Sequence, residues 1–179
     1  LAGILNADQM MYYPDFRANE RTFQMLTQVA GRTGRREKQG QVIVQTYNPA
    51  HYLLRYLQAN DIHGFYEREL QEREKFHYPP FTRLVKLVFK DRNKEACNQS
   101  AHFLGKILSA QFGNYRVYGP EWPPVDRINN FFLMEILLKF EREKVDIAKA
   151  KALLNKSIFK FQTQNEFKST QLIVDVDPY

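Results

Sequence analysis

Apolar residues alternate most regularly between Phe131 and Phe140. Phe132, Met134, Ile136, Leu138 and Phe140 share one parity, with Leu133, Glu135, Leu137 and Lys139 between them, and a period of two predicts a strand. Arg83 to Lys90 follows the same rule, with Val85, Leu87 and Phe89 on one face. Asn93 to Phe112 changes period: Ala96, Phe103, Leu104, Ile107 and Leu108 recur at helical spacing. Tyr115 to Tyr118 predicts a short strand, Val145 to Phe161 a helix with Ile147, Ala150, Leu154, Ile158 and Phe161 on its stripe, and Gln171 to Val176 a last strand. The order β-α-β-β-α-β is the ferredoxin-like split motif, two helices on one face of a four-stranded antiparallel sheet. Gly119-Pro120 and Pro123-Pro124 predict a stiff loop around Trp122.

The first half follows a different order. Leu1 to Ala7 predicts a short buried strand, Gln9 to Asn19 a loop, and Glu20 to Ala30 a helix carrying Phe23, Leu26 and Ala30 at helical spacing, with Asp15 or Asn19 as its cap. Gln41 to Tyr47 has apolar residues on both sides near its start, which suits a central strand of an α/β sheet. A helix follows Asn48-Pro49 with Leu53, Leu54 and Leu57 on its apolar face, and a charged helix spans Asp61 to Phe76, where Glu69 and Arg73 stand four apart and can pair. Pro79-Pro80 forbids helix continuation and marks the boundary. The expected division is residues 1–60, a helical connector over 61–80, and residues 81–179.

Composition adds little to the fold and something to the chemistry. With 14 Phe and 10 Tyr the chain can bury a core. Residues 1–80 carry 10 Lys+Arg against 9 Asp+Glu, and residues 81–179 carry 16 against 11, so the excess of positive charge falls on the second half and hints at a nucleic-acid partner there. Cys97 is the single cysteine, so neither an internal disulfide nor a cysteine-rich zinc site can form in this chain. His51, His63, His77 and His102 are scattered and predict structural or surface roles. Asp175 and Asp177 flank Val176; paired aspartates suggest a metal, but the sequence Asp-Val-Asp-Pro suits a strand end and turn better. No apolar run is long enough to span a membrane. The chain begins at Leu1 inside an apolar run, as expected of a piece of a longer protein.

The octet Gln28-Val29-Ala30-Gly31-Arg32-Thr33-Gly34-Arg35 sets two arginines three apart, each directly after a glycine, at the end of the predicted helix. Guanidinium is permanently charged and grips phosphate with a planar fork, and the glycines permit a close backbone approach. On its own the pattern also describes a basic loop at a helix end. The octet resembles motif VI of superfamily-two helicases. With Asp15-Phe16-Arg17-Ala18, Tyr78-Pro79-Pro80-Phe81 and the terminal Val174-Asp175-Val176-Asp177-Pro178, the whole chain resembles the C-terminal part of the PriA family of primosomal, replication-restart DNA helicases.

That resemblance implies a great deal. Residues 1–60 would be the end of a second RecA-like helicase lobe and 81–179 the ferredoxin-like C-terminal domain. Arg32 and Arg35 would reach ATP held with Mg²⁺ by a preceding lobe, with Gln28 and Gly31 lining that nucleotide and Arg17 at the cleft. The intact protein would be an ATP-dependent 3′-to-5′ helicase of the bacterial cytoplasm, nucleoid-associated, recognising stalled forks and assembling the primosome. Its partners would be forked and single-stranded DNA, the acidic tail of single-stranded DNA-binding protein near Arg142 and Lys144, and other primosome proteins. Arg83, Lys86, Lys90, Arg116 and Lys139 are the expected DNA contacts on the exposed face of the sheet; Leu133 stands where the family usually has an arginine. The family's zinc module has no counterpart here. Nor does the sequence contain Gly-x-x-x-x-Gly-Lys-Ser/Thr, so the chain alone is expected to hydrolyse no ATP. The alternatives are a non-enzymatic nucleic-acid or partner-binding module, or another superfamily-two helicase.

Overall fold

A computed structural model describes residues 1–33 and 41–178. It is a mixed α/β chain that divides into two compact units, Leu1–Phe76 and His77–Tyr179.

In the first unit, β1 (Ala2–Ile4) and β2 (Val42–Val44) pair in parallel, Gly3 opposite Ile43. The first strand stops earlier than alternation predicts because Asn6 turns into the left-handed region (φ 53°), after which α1 (Asp8–Met11) replaces the expected loop. The Asp8 carboxylate then accepts from Thr46 Oγ1 (2.8 Å) and Tyr47 N (2.9 Å), so the acid that follows β1 secures the chain leaving β2. α2 (Ala18–Thr33) starts two residues before the predicted Glu20; Asp15 prepares it by accepting from Arg17 N (2.8 Å) and pairing with Arg21 (3.0 Å). α3 (Tyr52–Ala59) is capped by His51, whose Nδ1 accepts from Leu53 N at 3.3 Å. Burial, and then the charge of Arg68, push that imidazole below its ordinary pKa, which keeps the acceptor neutral. α4 (Ile62–Lys75) is capped by Asp61. It belongs to this unit: Phe65 lies flat on Phe23 with ring centroids 4.0 Å apart, amid Leu26, Leu53 and Leu54.

Glu69 and Arg73, expected to pair along α4, do not. Arg73 is bonded to Glu20 of α2 and sits 5.3 Å from the Phe16 ring. Glu69 is 5% exposed and accepts the Tyr52 hydroxyl at 2.6 Å. Burial raises the pKa of Glu69, and burial with the Glu69 bond raises that of Tyr52. Four-residue spacing describes proximity on an isolated helix; here tertiary partners of better geometry claim both side chains.

The second unit is a five-stranded antiparallel sheet, not the four-stranded one expected. β3 (Thr82–Asp91) is central, between β6 (Phe131–Glu141) and β7 (Gln171–Val176), and β4 (Val117–Glu121) lies outside β6. The register sets Leu87 opposite both Ile136 and Val174. The extra strand, β5 (Arg127–Ile128), pairs with Phe131–Phe132 through Asn129-Asn130, both at positive φ. Two left-handed residues between paired strands are what a two-residue hairpin of matching twist requires, and Asn-Asn was the available signal. Gly119 is needed in β4: its φ is +95°, and a Cβ there would lie 2.7 Å from the Glu135 carbonyl oxygen.

α5 (Lys94–Phe112), capped by Asn93, and α6 (Ile147–Gln162), capped by Asp146, supply Leu104, Leu108, Leu154 and Phe161 to a core shared with Leu87, Phe89, Ile136 and Leu138. Asp91 ties the end of β3 to the turn before β7: its carboxylate accepts from Ser169 Oγ and Thr170 Oγ1, both at 2.8 Å, and from Asn93 N at 2.8 Å. Burial alone would raise its pKa, but these bonds outweigh it and hold the carboxyl below its ordinary value.

Candidate functional site

The helix-end arginine motif begins on α2. Phe23 and Leu26 face the core, which turns Gln28, Gly31 and Arg32 to solvent in the final turns. A Cβ added at Gly31 would meet nothing within 4 Å among the described residues, so none of them fills the space a close ligand would use. Arg32 stands in the last turn, beside the negative end of the helix dipole. Arg35 lies outside the described residues, as does Gly34. Arg17, upstream of α2, stacks on the Phe16 ring at 4.6 Å.

The five cations expected on the open sheet face are not equivalent. Arg83 has the parity of Val85 and Leu87, so it points to the helix side, where it bonds to Asp177; its placement on the exposed face is corrected by the same alternation that identified the strand. Asp177 turns at φ 53° and also accepts from Leu84 N (3.1 Å), ending β7. Lys86 pairs with Glu135 at 2.8 Å, and Arg116 with Glu141 at 3.0 Å. Burial would raise the Glu141 pKa, but the Arg116 bond and charge lower it overall.

Lys139 is only 8% exposed, with its ammonium 3.8 Å from the Tyr78 ring centroid and 4.9 Å from that of Tyr118. Burial depresses its pKa. Tyr78 thus lies over the open face, which the sequence reading missed because a residue ahead of a Pro-Pro pair was assigned to a linker.

Lys90 differs from these four. Its ammonium is 4.5 Å from the Phe131 ring, and Arg92, Lys94 and Arg127, passed over in the sequence, sit likewise on aromatic rings at that end of the sheet. Arg142 and Lys144 are exposed on the turn after β6, Lys144 within 3.8 Å of Glu141.

Cys97 is buried, and burial pushes its thiol up to about 11, so it is not a thiolate at neutral pH. Among the described residues no group of three or more His, Cys, Asp and Glu side chains could hold a metal ion, and no helix is long and apolar enough to cross a membrane.

Comparison with known proteins places this arrangement. A family model described as "Primosomal protein N C-terminal domain" matches residues 74–179. The "Replication restart protein PriA" of Bacillus subtilis (strain 168) is 34% identical over 180 residues, spanning 100% of this chain and 22% of that protein. The protein of the same name from Treponema pallidum (strain Nichols) is 40% identical over 140 residues, 78% of this chain and 21% of that protein. That of Borreliella burgdorferi is 32% identical over 178 residues, 99% of this chain and 26% of that protein. The chain therefore spans about a quarter or less of these relatives. With its second unit matched almost from end to end and its first aligned to the same relatives, the chain belongs to the PriA family as its C-terminal part.

Proposed function

We propose that the chain is the C-terminal part of an ATP-dependent 3′-to-5′ DNA helicase that recognises stalled forks and assembles the primosome in replication restart. The observation that carries this reading is the exposed end of α2, where Gln28, Gly31 and Arg32 face solvent ahead of Arg35. The first unit would be the end of a second RecA-like lobe, a reading supported by parallel β1 and β2 with helices between and after them. The second would be ferredoxin-like, a reading supported by the antiparallel order β4-β6-β3-β7 and the helix after β3 and after β6.

ATP and Mg²⁺ would be gripped by a preceding lobe. Hydrolysis there supplies the energy for translocation. This chain's part is to present guanidinium groups to the terminal phosphate, with Gln28 coupling nucleotide state to lobe closure. Zinc would belong to another part of the longer protein. Residues 1–76, with α4 packed into that unit, would act as the lobe, and residues 77–179 as the C-terminal domain, in place of the separate connector expected over 61–80; the C-terminal domain would contact DNA, with Arg142 and Lys144 offered to an acidic partner tail. The protein would act in the bacterial cytoplasm. In the longer protein, Arg35→Ala is expected to lower DNA-stimulated ATP turnover by roughly 10³-fold or more while fork binding survives. Unchanged turnover would remove the nucleotide role.

The non-enzymatic alternative describes the 179-residue chain by itself, since its sequence carries no phosphate-cradling loop. That the match to the Bacillus protein runs the full length of this chain favours the PriA reading over another superfamily-two helicase.

A further inference from the structure

Eight basic side chains at the sheet of the second unit fall into two groups by what holds them. Away from the hairpin, Arg83, Lys86 and Arg116 are held by Asp177, Glu135 and Glu141, and Lys139 is buried beneath Tyr78 and Tyr118. A phosphate arriving there would have to displace a partly buried ion pair or uncover a buried ammonium, and leaving one partner of such a pair uncompensated is costly. At the rim, where β3 ends and the β5–β6 hairpin begins, rings hold the cations. Lys90 Nζ lies 4.5 Å and Arg92 Cζ 5.3 Å from the Phe131 centroid, Arg127 Cζ 5.1 Å from Phe132, and Lys94 Nζ 5.2 Å from Trp122. None of these four forms an ion pair among the described residues. A ring fixes a cation in place but does not cancel its charge.

The neighbouring acids do not close this rim. Asp91 turns inward to Ser169 and Thr170, and Glu95 is bonded to Gln99. Glu121 and Asp126 are exposed on the chain leading into the hairpin. Phe131 is partly exposed and shares the parity of Leu133 and Glu135, so its ring stands on the face the helices leave open.

We propose that this rim is where single-stranded nucleic acid is bound: a base stacks on Phe131 while Lys90 and Arg92 hold the adjoining phosphates, and Arg127 and Lys94 extend the track around the sheet edge. The proposal rests on the reading that the second unit contacts DNA, and it moves that contact from the cations held by acids and rings elsewhere on the sheet to the hairpin end. Stacking on a rigid ring beside flanking cations is the chemistry by which proteins hold single strands without reading sequence. The Asn129-Asn130 hairpin that projects Arg127 and Phe131 becomes the recognition element.

The test uses the whole 179-residue chain and an oligothymidylate of about 16 nucleotides, the upper site size of a single-strand-binding fold. Trp122 is the only tryptophan and lies in the proposed track, so its fluorescence should be quenched on binding. Lys90→Gln with Arg92→Gln should weaken binding by about tenfold or more and flatten the plot of log K against log salt by about 1.4, two phosphates at roughly 0.7 each. Phe131→Leu should weaken binding by about fivefold or more on oligothymidylate, yet leave binding of a base-free phosphodiester strand unchanged. Lys106→Gln with Lys156→Gln, an equal loss of charge from exposed helix positions, is the control.

Thermal melting establishes that each variant is folded, and Lys90→Gln and Arg92→Gln measured singly replace the double variant if it is not. If wild type binds but the rim variants match the control, or Trp122 stays unquenched at saturation, the rim placement is overturned and the DNA-binding reading stands. If wild type does not bind at low salt, the DNA-contact reading falls and the rim with it. Equal binding of oligouridylate would show the site reads strand and phosphate, not sugar, as proposed.

Discussion

The two units treat their apolar surface in opposite ways. In the second, the middle of the sheet's helix face is covered: Leu87, Phe89, Ile136 and Leu138 lie under α5 and α6, with Val174 and Val176 of the edge strand β7 left partly open, and Tyr78 folds over part of the other face. In the first, one face of a two-stranded sheet packs through Ile4 and Val44 onto α2 and α3, while Ile43 on β2 remains 59% exposed and Leu5 80% exposed. Residues 41–47 carry the two-sided apolar pattern of a central strand, yet among the described residues β2 pairs only with β1. Two such short strands are marginal without further pairing. The second unit reads as a finished domain. The first reads as surface prepared for neighbours, which suits arginines that would serve a nucleotide held elsewhere.

The comparison is broken most sharply by core truncation. Ile136→Ala should cost the second unit about 3–4 kcal/mol, measured by denaturant unfolding followed through Trp122, whereas Ile43→Ala in the first unit should change stability by less than about 0.5 kcal/mol. Comparable losses would mean that Ile43 already has a covered place. Next in size is Asp91→Ala, which removes the acceptor shared by the Ser169 and Thr170 hydroxyls and the Asn93 amide and should cost about 2–3 kcal/mol; a neutral result would mean that the tie between β3 and the turn before β7 is dispensable.

The smallest effect is the response to pH, and its sign differs between the groups involved. Asp91 and Glu141 have lowered pKa values, so their contribution is complete above the ordinary carboxylate range and is lost as pH falls through the depressed values. Glu69 has a raised pKa, so its contribution to the first unit is complete below the ordinary glutamate value and is lost as pH rises through the raised one, while the lowered Asp8 and His51 of that unit act in the opposite sense. Proteolysis of the second unit should show it weakening only as pH falls below the ordinary carboxylate range, with no change from mildly acid to neutral pH. In the first unit, Glu69→Gln should remove the part of the response in which protection falls as pH rises.

How much of this was legible in the sequence also divides by unit. From Arg83 to Val176 long, strongly periodic segments announced strands and helices in their observed order, because each buries one continuous face. Alternation even contained the correction for Arg83, since its parity with Val85 turns it to the helix side. Partners were harder to read. Glu69 finding Tyr52, Arg73 finding Glu20 and Lys139 finding Tyr78 are meetings of residues distant in sequence, and no local period encodes them. The Asn129-Asn130 hairpin carried a local signal but only two residues of strand on its leading side. At the site, Gln28, Gly31 and Arg32 are placed at an exposed helix end, while the rim cations were hidden because basic residues were sorted by strand face, without regard to what neutralises them.

The most direct measurement of the difference between the units is native-state hydrogen exchange on the intact 179-residue chain. The account predicts that amides of Leu87, Leu104 and Ile136 exchange only through global unfolding of the second unit, while those of Ile4 and Ile43 exchange through local opening at a free energy several kcal/mol lower. Equal protection of β1, β2 and the β3–β6 ladder would contradict it, because the first unit would then be as complete in itself as the second.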